Sequence, residues 1–423
     1  MTVPWIETCV WWHVYPLGFT GAAIRAEGHE ATGPAQSEPR LRRLLPWLDH
    51  ALELGANGLL LGPVFASTSH GYDTIDHLRV DPRLGSEDDL VELLRACRER
   101  GIRVALDGVF NHVGDQHPRF LEARAHGFTG PAAEWFAVDR TDPSAPRPHV
   151  FEGHGSLVTL DHANAAVADH VVDVMTYWLE RGVDAWRLDA AYAVDPAFWR
   201  TVLPRVRERH PEAWFVGEVI HGDYAGFTGG GGLDSVTQYE LWKAIWSSLA
   251  DRNFFELDWT LSRHNDYLRR FVPHAFIGNH DVTRIASRLG PDGAVAALAV
   301  LMTVGGVPSV YYGDELGYTG VKEERLGGDD AVRPPFPPRP ADAVGRGTPV
   351  HRAHRELIGL RRRHPWLVTA TTEPMTLTNT RYVYRVRSAD DDGMALLVEI
   401  DLTDAPRVEI RDDAGATLWR WPA

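Results

Sequence analysis

Short apolar runs alternate with amphipathic stretches along most of the chain, a rhythm that predicts parallel strands wrapped by helices. The strand-like runs fall at residues 10–15, 58–64, 102–106, 183–188, 214–216, 233–236, 274–277 and 307–311. Runs in that number favour a closed (β/α)8 TIM barrel. Between them Leu41, Leu44, Leu45, Leu48 and Leu52 recur at helical spacing. So do Leu90, Leu93, Leu94 and Cys97 behind an expected N-cap at Ser86, and Val167, Val171, Met175 and Trp178 behind Asn164. These sets are expected to be helix faces packed on the sheet.

Two stretches break the rhythm. Residues 113–158 are rich in Gly, Pro and His with scattered aromatics and read as a small lobe inserted after strand 3 that walls a cleft. Within it, Trp135 and Phe136 are expected to be sugar-stacking platforms. Residues 316–347, with the Pro-rich run 333–340, are expected to line the same cleft. From 366 to 423 period-two segments at 381–386, 395–400 and 407–410 predict a small C-terminal antiparallel β domain. The expected division is therefore 1–112 with 159–365 for the barrel, 113–158 for the lobe, and 366–423 for the β domain. Residues 229–232 are a short glycine run before strand 6.

Composition changes this picture little. A chain of 423 residues, 44% hydrophobic and 24% charged, can bury one large core with appendages. The formal charge of −15, without a basic stripe, argues against nucleic acid as a partner. The first residues show neither a basic leader nor a clean apolar segment, and no stretch reads as a membrane span. A cytoplasmic protein without membrane contact is expected. Cys9 and Cys97 suit reduced core thiols.

The candidate chemistry lies where polar residues close the apolar runs. Asp107, Asn111 and His112 follow the third, Arg187 and Asp189 close the fourth, Glu218 ends the fifth, and His280 with Asp281 ends the seventh. Strand ends on one face of a barrel converge, so these groups are expected to share one site. Glycosidic cleavage needs one carboxyl to protonate the departing oxygen and another to attack the anomeric carbon. Asp189, Glu218 and Asp281 supply three, and β alternation points Arg187 into the barrel mouth with Asp189, where its guanidinium is expected to keep Asp189 ionised. The apolar run before Glu218 suits an acid catalyst. Asp107 is expected to support the barrel.

The segments DGVFNH (107–112), GVDAWRLDA (182–190), FVGEV (215–219) and IGNHD (277–281) resemble the four core motifs of the α-amylase family of retaining glycoside hydrolases. Further matches are GPVF (62–65), HGYDT (70–74) and GVPSVYYGDE (306–315). The resemblance implies Asp189 as nucleophile, Glu218 as acid/base and Asp281 as the carboxylate that binds and distorts the sugar. It implies Tyr72 stacking on the sugar, Asp73 supporting it, and His112, Arg187 and His280 bonding hydroxyls and carboxylates. Phe65 and Trp186 are carried as further substrate contacts. Among branches, the chain is most similar to cyclomaltodextrinases, neopullulanases and maltogenic amylases, and is expected to lack their N-terminal β domain because the first strand comes almost at once. The implied substrates are malto-oligosaccharides, cyclodextrins and related cyclic α-glucans. Ala190 after the nucleophile favours α-1,4 linkages. No cofactor is called for. Of the family's calcium ligands Asn111 remains, while Thr159 stands in the place of an Asp and Ala193 in that of a His, so no obligatory metal is expected.

Other readings stand beside this one. A transglycosylase or isomerase acting on sucrose, trehalose or maltose would use the same carboxylates. A catalytically silent binding barrel would be expected to lack one of them. A metal-dependent barrel hydrolase built on His112 and His280 lacks compact ligand spacing.

Overall fold

Eight parallel strands form one sheet in the computed structural model, which describes residues 3–25, 38–325, 327–390 and 393–422. They are β1 (Trp11–Val14), β2 (Gly58–Leu61), β3 (Arg103–Gly108), β4 (Ala185–Leu188), β5 (Trp214–Gly217), β6 (Ser235–Val236), β7 (His274–Phe276) and β8 (Val307–Tyr311). Their order, β6-β5-β4-β3-β2-β1-β8-β7, is that of a barrel opened between β6 and β7. A single parallel bridge, Thr237 to His274, and the Gln238 N–H donating to His274 O at 2.9 Å join those two edges. Each strand lies where an apolar run predicted one.

Side-chain alternation divides the strands' residues between two cores. Trp11, Leu60, Ala105, Ala185, Trp214 and Val307 fill the bottom of the barrel. The two large rings stack at 5.9 Å, and the alanines opposite leave room for them. Trp12, Leu59, Leu106, Trp186, Phe215 and Val310 face outward into the main core under the helices. One residue pair further up, Arg187 of β4 lies opposite Asp107 of β3, both inside the barrel.

The surrounding helices are α1 (Leu45–Leu54), α2 (Glu87–Glu99), α3 (Ala165–Glu180), α4 (Pro196–Arg209), α5 (Tyr239–Ala250), α6 (Phe255–Leu268), α7 (Ile285–Thr303) and α8 (Pro349–Arg363). Ser86 caps α2 in a reciprocal box with Asp89, and Asn164 caps α3 through Ala166 N–H at 2.9 Å. Leu41 and Leu44 sit in a 3-10 turn before α1, whose first turn carries a proline pre-set for a helix start. Between β5 and β6 no α-helix of the barrel forms among the described residues; a short π-helical stretch, Gly226–Gly230, leads into the glycine run instead.

Helix α7 was not foreseen: its 19 residues, mean hydropathy 1.3, are long and apolar enough for a membrane span by length and composition. It is 67% buried, packed between α5 and α8, which accounts for its apolarity, and Gly290 with Pro291 interrupts its periodicity. Met1 and Thr2 of the stretch read for a leader lie outside the described residues.

In the inserted lobe His112–Gly114 pairs antiparallel with Leu157–Thr159. Trp135 and Phe136 are not platforms as expected but form the lobe's own core. Phe136 meets Phe120 at 5.3 Å, and Arg119 covers the Trp135 ring at 3.9 Å. The C-terminal sheet is an antiparallel meander, β9 (Thr371–Leu377), β10 (Arg381–Arg387), β11 (Ala395–Asp401), β12 (Arg407–Asp412) and β13 (Thr417–Trp421). Its edges β9 and β13 escaped the period-two reading because β9 is largely exposed and carries a bulge beside Pro374. Cys9 and Cys97 are buried and unlinked, and burial pushes the Cys97 thiol up to about 12.

Candidate active site

The C-terminal ends of β3, β4, β5 and β7 bring four carboxylates together, three of them on the guanidinium of Arg187. Arg187 Nη1 donates to both oxygens of Asp107 at 2.7 and 2.8 Å and lies 3.3 Å from Asp189 Oδ1. Its Nη2 is 2.6 Å from Glu218 Oε1. The side chains of Arg187 and Asp107 are 4% and 0% exposed, so this is a dry cluster in which a missing partner would be costly. Asp281, half-buried, closes the ring from β7: His280 Nε2 lies 2.9 Å from Oδ2 and Arg333 Nη2 donates to Oδ1 at 3.0 Å.

Glu218 is held on both oxygens. Oε1 accepts from the Tyr239 hydroxyl at 3.1 Å as well as from Arg187, and Oε2 accepts the Ala190 N–H at 3.0 Å. Asn279 Nδ2 donates in turn to the Tyr239 hydroxyl at 2.9 Å. Ala190 adopts φ +47°, a left-handed conformation costly for a residue with a Cβ, and so turns its N–H onto Glu218 directly after Asp189.

Electrostatics separate the carboxylates. Burial, then the neighbouring Glu218, pushes Asp189 well above the usual carboxylate range against the pull of Arg187. Arg187 pulls the Asp189 carboxyl down as expected, but burial and Glu218 outweigh that pull, since the guanidinium is bound more closely by Asp107 and Glu218. Burial raises Asp281 too, but His280, Arg333 and Arg187 outweigh it and hold that carboxyl well below the range. Burial, opposed by Arg187, raises Asp107.

Tyr72 and His280 stack in parallel at 5.2 Å with their polar atoms in contact, and the Tyr15 ring also lies parallel to His280, at 5.8 Å. The Tyr72 hydroxyl also donates to Asp107 Oδ2 at 3.1 Å. Burial lowers His112 to about 4, so its ring is neutral. Nε2–H then donates to Tyr72 O at 3.1 Å, and Nδ1 accepts from Asn111 Nδ2 at 3.0 Å. Both nitrogens are committed to the fold, so the free structure offers a sugar hydroxyl no unused His112 N–H. Asp73 is buried, accepting from Ser69 Oγ at 2.7 Å, and braces the turn that carries Tyr72.

A cavity of about 310 Å³ opens over these groups, lined by Tyr72, His112, Asp189, Glu218 and Asp281, and further by Phe151, Glu152, Tyr192, Ile220, Tyr239 and Lys322. Phe65 and Trp186, expected at the substrate, are not there. Phe65 is 1% and Trp186 0% exposed, and their rings meet at 6.1 Å in the outer core. Strand alternation puts Trp186 on the face opposite Arg187. The sequence reading missed Tyr239, Asn279, Arg333, Phe151, Glu152 and Tyr192. The flagged run beginning at Arg333, the IGNHD segment and the aromatic-bearing lobe that holds Phe151 and Glu152 carried a signal of some of them, and Tyr239 and Tyr192 had none.

The alpha-amylase catalytic domain profile matches residues 41–381. The chain belongs to the alpha-amylase family. Within that family it is 33% identical over 343 residues to a cyclomaltodextrinase of Geobacillus thermopakistaniensis, covering 75% of this chain and 57% of that protein. It is 31% identical over 353 residues to neopullulanase 2 of Thermoactinomyces vulgaris, covering 76% and 58% respectively. The chain thus spans less than two thirds of the length of these curated relatives. Among solved structures it resembles the cyclic α-maltosyl-(1→6)-maltose hydrolase of Arthrobacter globiformis, TM-score 0.79 and 25% identity, over 95% of this chain and 92% of that one. The debranching enzyme of Nostoc punctiforme matches with TM-score 0.77 at 25% identity over 95% and 90%.

The calcium site implied by the family resemblance does not fit these residues. Asn111 turns its amide nitrogen to His112, and the Thr159 backbone pairs with His112 across the lobe's hairpin. A hard cation needs several oxygens, and among the described residues no group of three or more His, Cys, Asp or Glu side chains is placed to hold one.

Proposed function

We propose that the protein hydrolyses α-1,4 bonds of short malto-oligosaccharides, cyclodextrins or related cyclic α-glucans with retention of configuration. The observation that carries this reading is the sharing of Arg187: its two terminal nitrogens contact Asp189 and Glu218, so carboxyls from adjacent strand ends stand side by side under an open cavity. Retaining glycosidases place their carboxyls about 5–5.5 Å apart, without room for a water between them. In this mechanism Asp189 attacks the anomeric carbon while Glu218 gives its proton to the departing oxygen. Glu218 then takes a proton from the water that displaces Asp189. Asp281, kept ionised by His280 and Arg333, binds hydroxyls of the reacting sugar and stabilises the oxocarbenium-like transition state.

The names of the relatives support the substrate class, and one related protein, 28% identical over 340 residues, is the intracellular maltogenic amylase of Bacillus subtilis, which supports an intracellular setting. The division at 112/113, 158/159 and 365/366 belongs to the same proposal. Its test is product analysis of wild type and Glu218→Gln on maltotriose, a cyclodextrin, pullulan, isomaltotriose, sucrose and trehalose, with the product anomer read by NMR. Release of an α-anomer from an α-1,4 substrate by wild type, with near-complete loss in the variant, supports the reading. Rearrangement of a disaccharide alone replaces hydrolysis with transfer, and a β-anomer product overturns retention.

A further inference from the structure

The inserted lobe and the loop after β4 meet across the cavity, where the Tyr192 hydroxyl donates to Glu152 Oε1 at 2.7 Å. Glu152 reaches this position from a left-handed backbone, φ +49°, unusual for a residue with a side chain. Phe151 beside it stacks on His112 at 4.8 Å and leans on the Tyr192 ring at 6.2 Å. All of these residues line the cavity.

The side of the cleft they occupy follows from the carboxylates. The sugar attacked by Asp189 must also meet Tyr72 and Asp281, which lie with His280 on the β2 and β7 side of the site. The departing sugar must leave past Glu218, the proton donor. The Tyr192 N–H donates to the Glu218 carbonyl at 3.1 Å, and Ile220 follows two residues after Glu218. Tyr192 therefore stands beside the leaving group, and its bond to Glu152 crosses that half of the cleft. The cavity of about 310 Å³ lies at the small end of ligand pockets, which run from about 300 Å³ upward.

We infer, building on the hydrolase reading, that the Tyr192–Glu152 pair is a strap over the leaving-group half of the cleft that selects narrow, linear leaving groups and must open to admit a ring. A linear maltotriose passes beneath the closed strap, whereas a cyclodextrin presents two chains at once and requires the lobe and the β4 loop to part. Phe151 and the Tyr192 ring then serve as the apolar walls against which the departing sugar packs.

The test measures kcat/KM for maltotriose and for a cyclodextrin in wild type, Tyr192→Phe, Glu152→Ala and the double variant. Each single variant is expected to raise the cyclodextrin-to-maltotriose ratio about two- to fivefold, the rate equivalent of one solvent-exposed hydrogen bond to a charged group. Because both remove the same bond, the double variant should add little to either. Equal loss on both substrates would assign the pair a structural role, and an unchanged ratio or additive effects would overturn the strap. If wild type cleaves neither substrate, the hydrolase reading fails first and the inference falls with it.

Discussion

Replacing Tyr239 by Phe isolates the support of the proposed acid/base. The ring would remain packed on Phe276, 4.9 Å away, and only the hydroxyl would be lost. Glu218 Oε1 keeps Arg187 at 2.6 Å and Oε2 keeps the Ala190 N–H at 3.0 Å, so one donor of three disappears. A hydrogen bond to the charged form that Glu218 assumes as it gives up its proton contributes about 1.5–3 kcal/mol. The 3.1 Å length of this one and the remaining guanidinium place it at the low end, about 1.5 kcal/mol, or about tenfold in kcat/KM. Asn279 Nδ2 would lose its acceptor inside the protein, which costs about 1–3 kcal/mol of stability. The assay compares maltotriose with an aryl maltoside whose phenolate departs without a proton. Maltotriose should lose about tenfold and the aryl maltoside about twofold or less. Equal losses on both would mean that Tyr239 does not act through Glu218, and a loss beyond about a thousandfold would place its hydroxyl in the chemistry itself.

Other consequences are open to measurement. Asp189→Asn should abolish turnover yet raise the melting temperature at pH 7. Asp189 has a raised pKa in the folded state, so its protonation favours folding, and that stability is lost as pH rises through the raised value. The stabilisation by Asn should vanish below the ordinary carboxylate range, and a variant less stable than wild type at pH 7 would contradict this account. Trp186→Phe and Phe65→Leu should each cost about 1–2 kcal/mol in urea unfolding through the outer core, with KM unmoved. A several-fold rise in KM without loss of stability would return those rings to the substrate. Chelator should leave activity intact, because Asn111 and Thr159 do not assemble an oxygen cage; complete loss restored by calcium would refute it.

The barrel was legible because its signal is local and periodic. Arg187 faced inward from strand alternation alone, and Asp107, Asp189 and Glu218 met where their strands end. What escaped depended on partners far apart in sequence. Tyr239 opens α5 and reads there as an amphipathic helix residue, and only the fold sets its hydroxyl against Glu218. Arg333 came within a run flagged for its prolines, with nothing in that run to announce Asp281 as partner. Trp186 was misplaced for the converse reason. It adjoins Arg187 in sequence, and adjacency in a strand means opposite faces.

The apportioning of Arg187 ties the fold to the chemistry proposed for it. Arg187 sits at 2.6–2.8 Å from Glu218 and Asp107 but 3.3 Å from Asp189, so the proposed nucleophile is the least compensated of its three partners. With Asp281 included, Asp189, Glu218 and Asp281 line the cavity, and Asp107, Arg187 and Arg333 are paired with them beneath it. A neutral glucan brings no charge to this cluster, but its transition state does, because positive charge develops at the anomeric carbon beside Asp189. Fixed negative charge there stabilises that state more than the bound sugar, which is the condition for catalysis. The strained Ala190 turn keeps Glu218 anchored while this happens, so the acid stays in place as the nucleophile gains its partner. Raising the stability of the free protein by neutralising Asp189 and losing its activity are, on this view, two readings of one electrostatic arrangement.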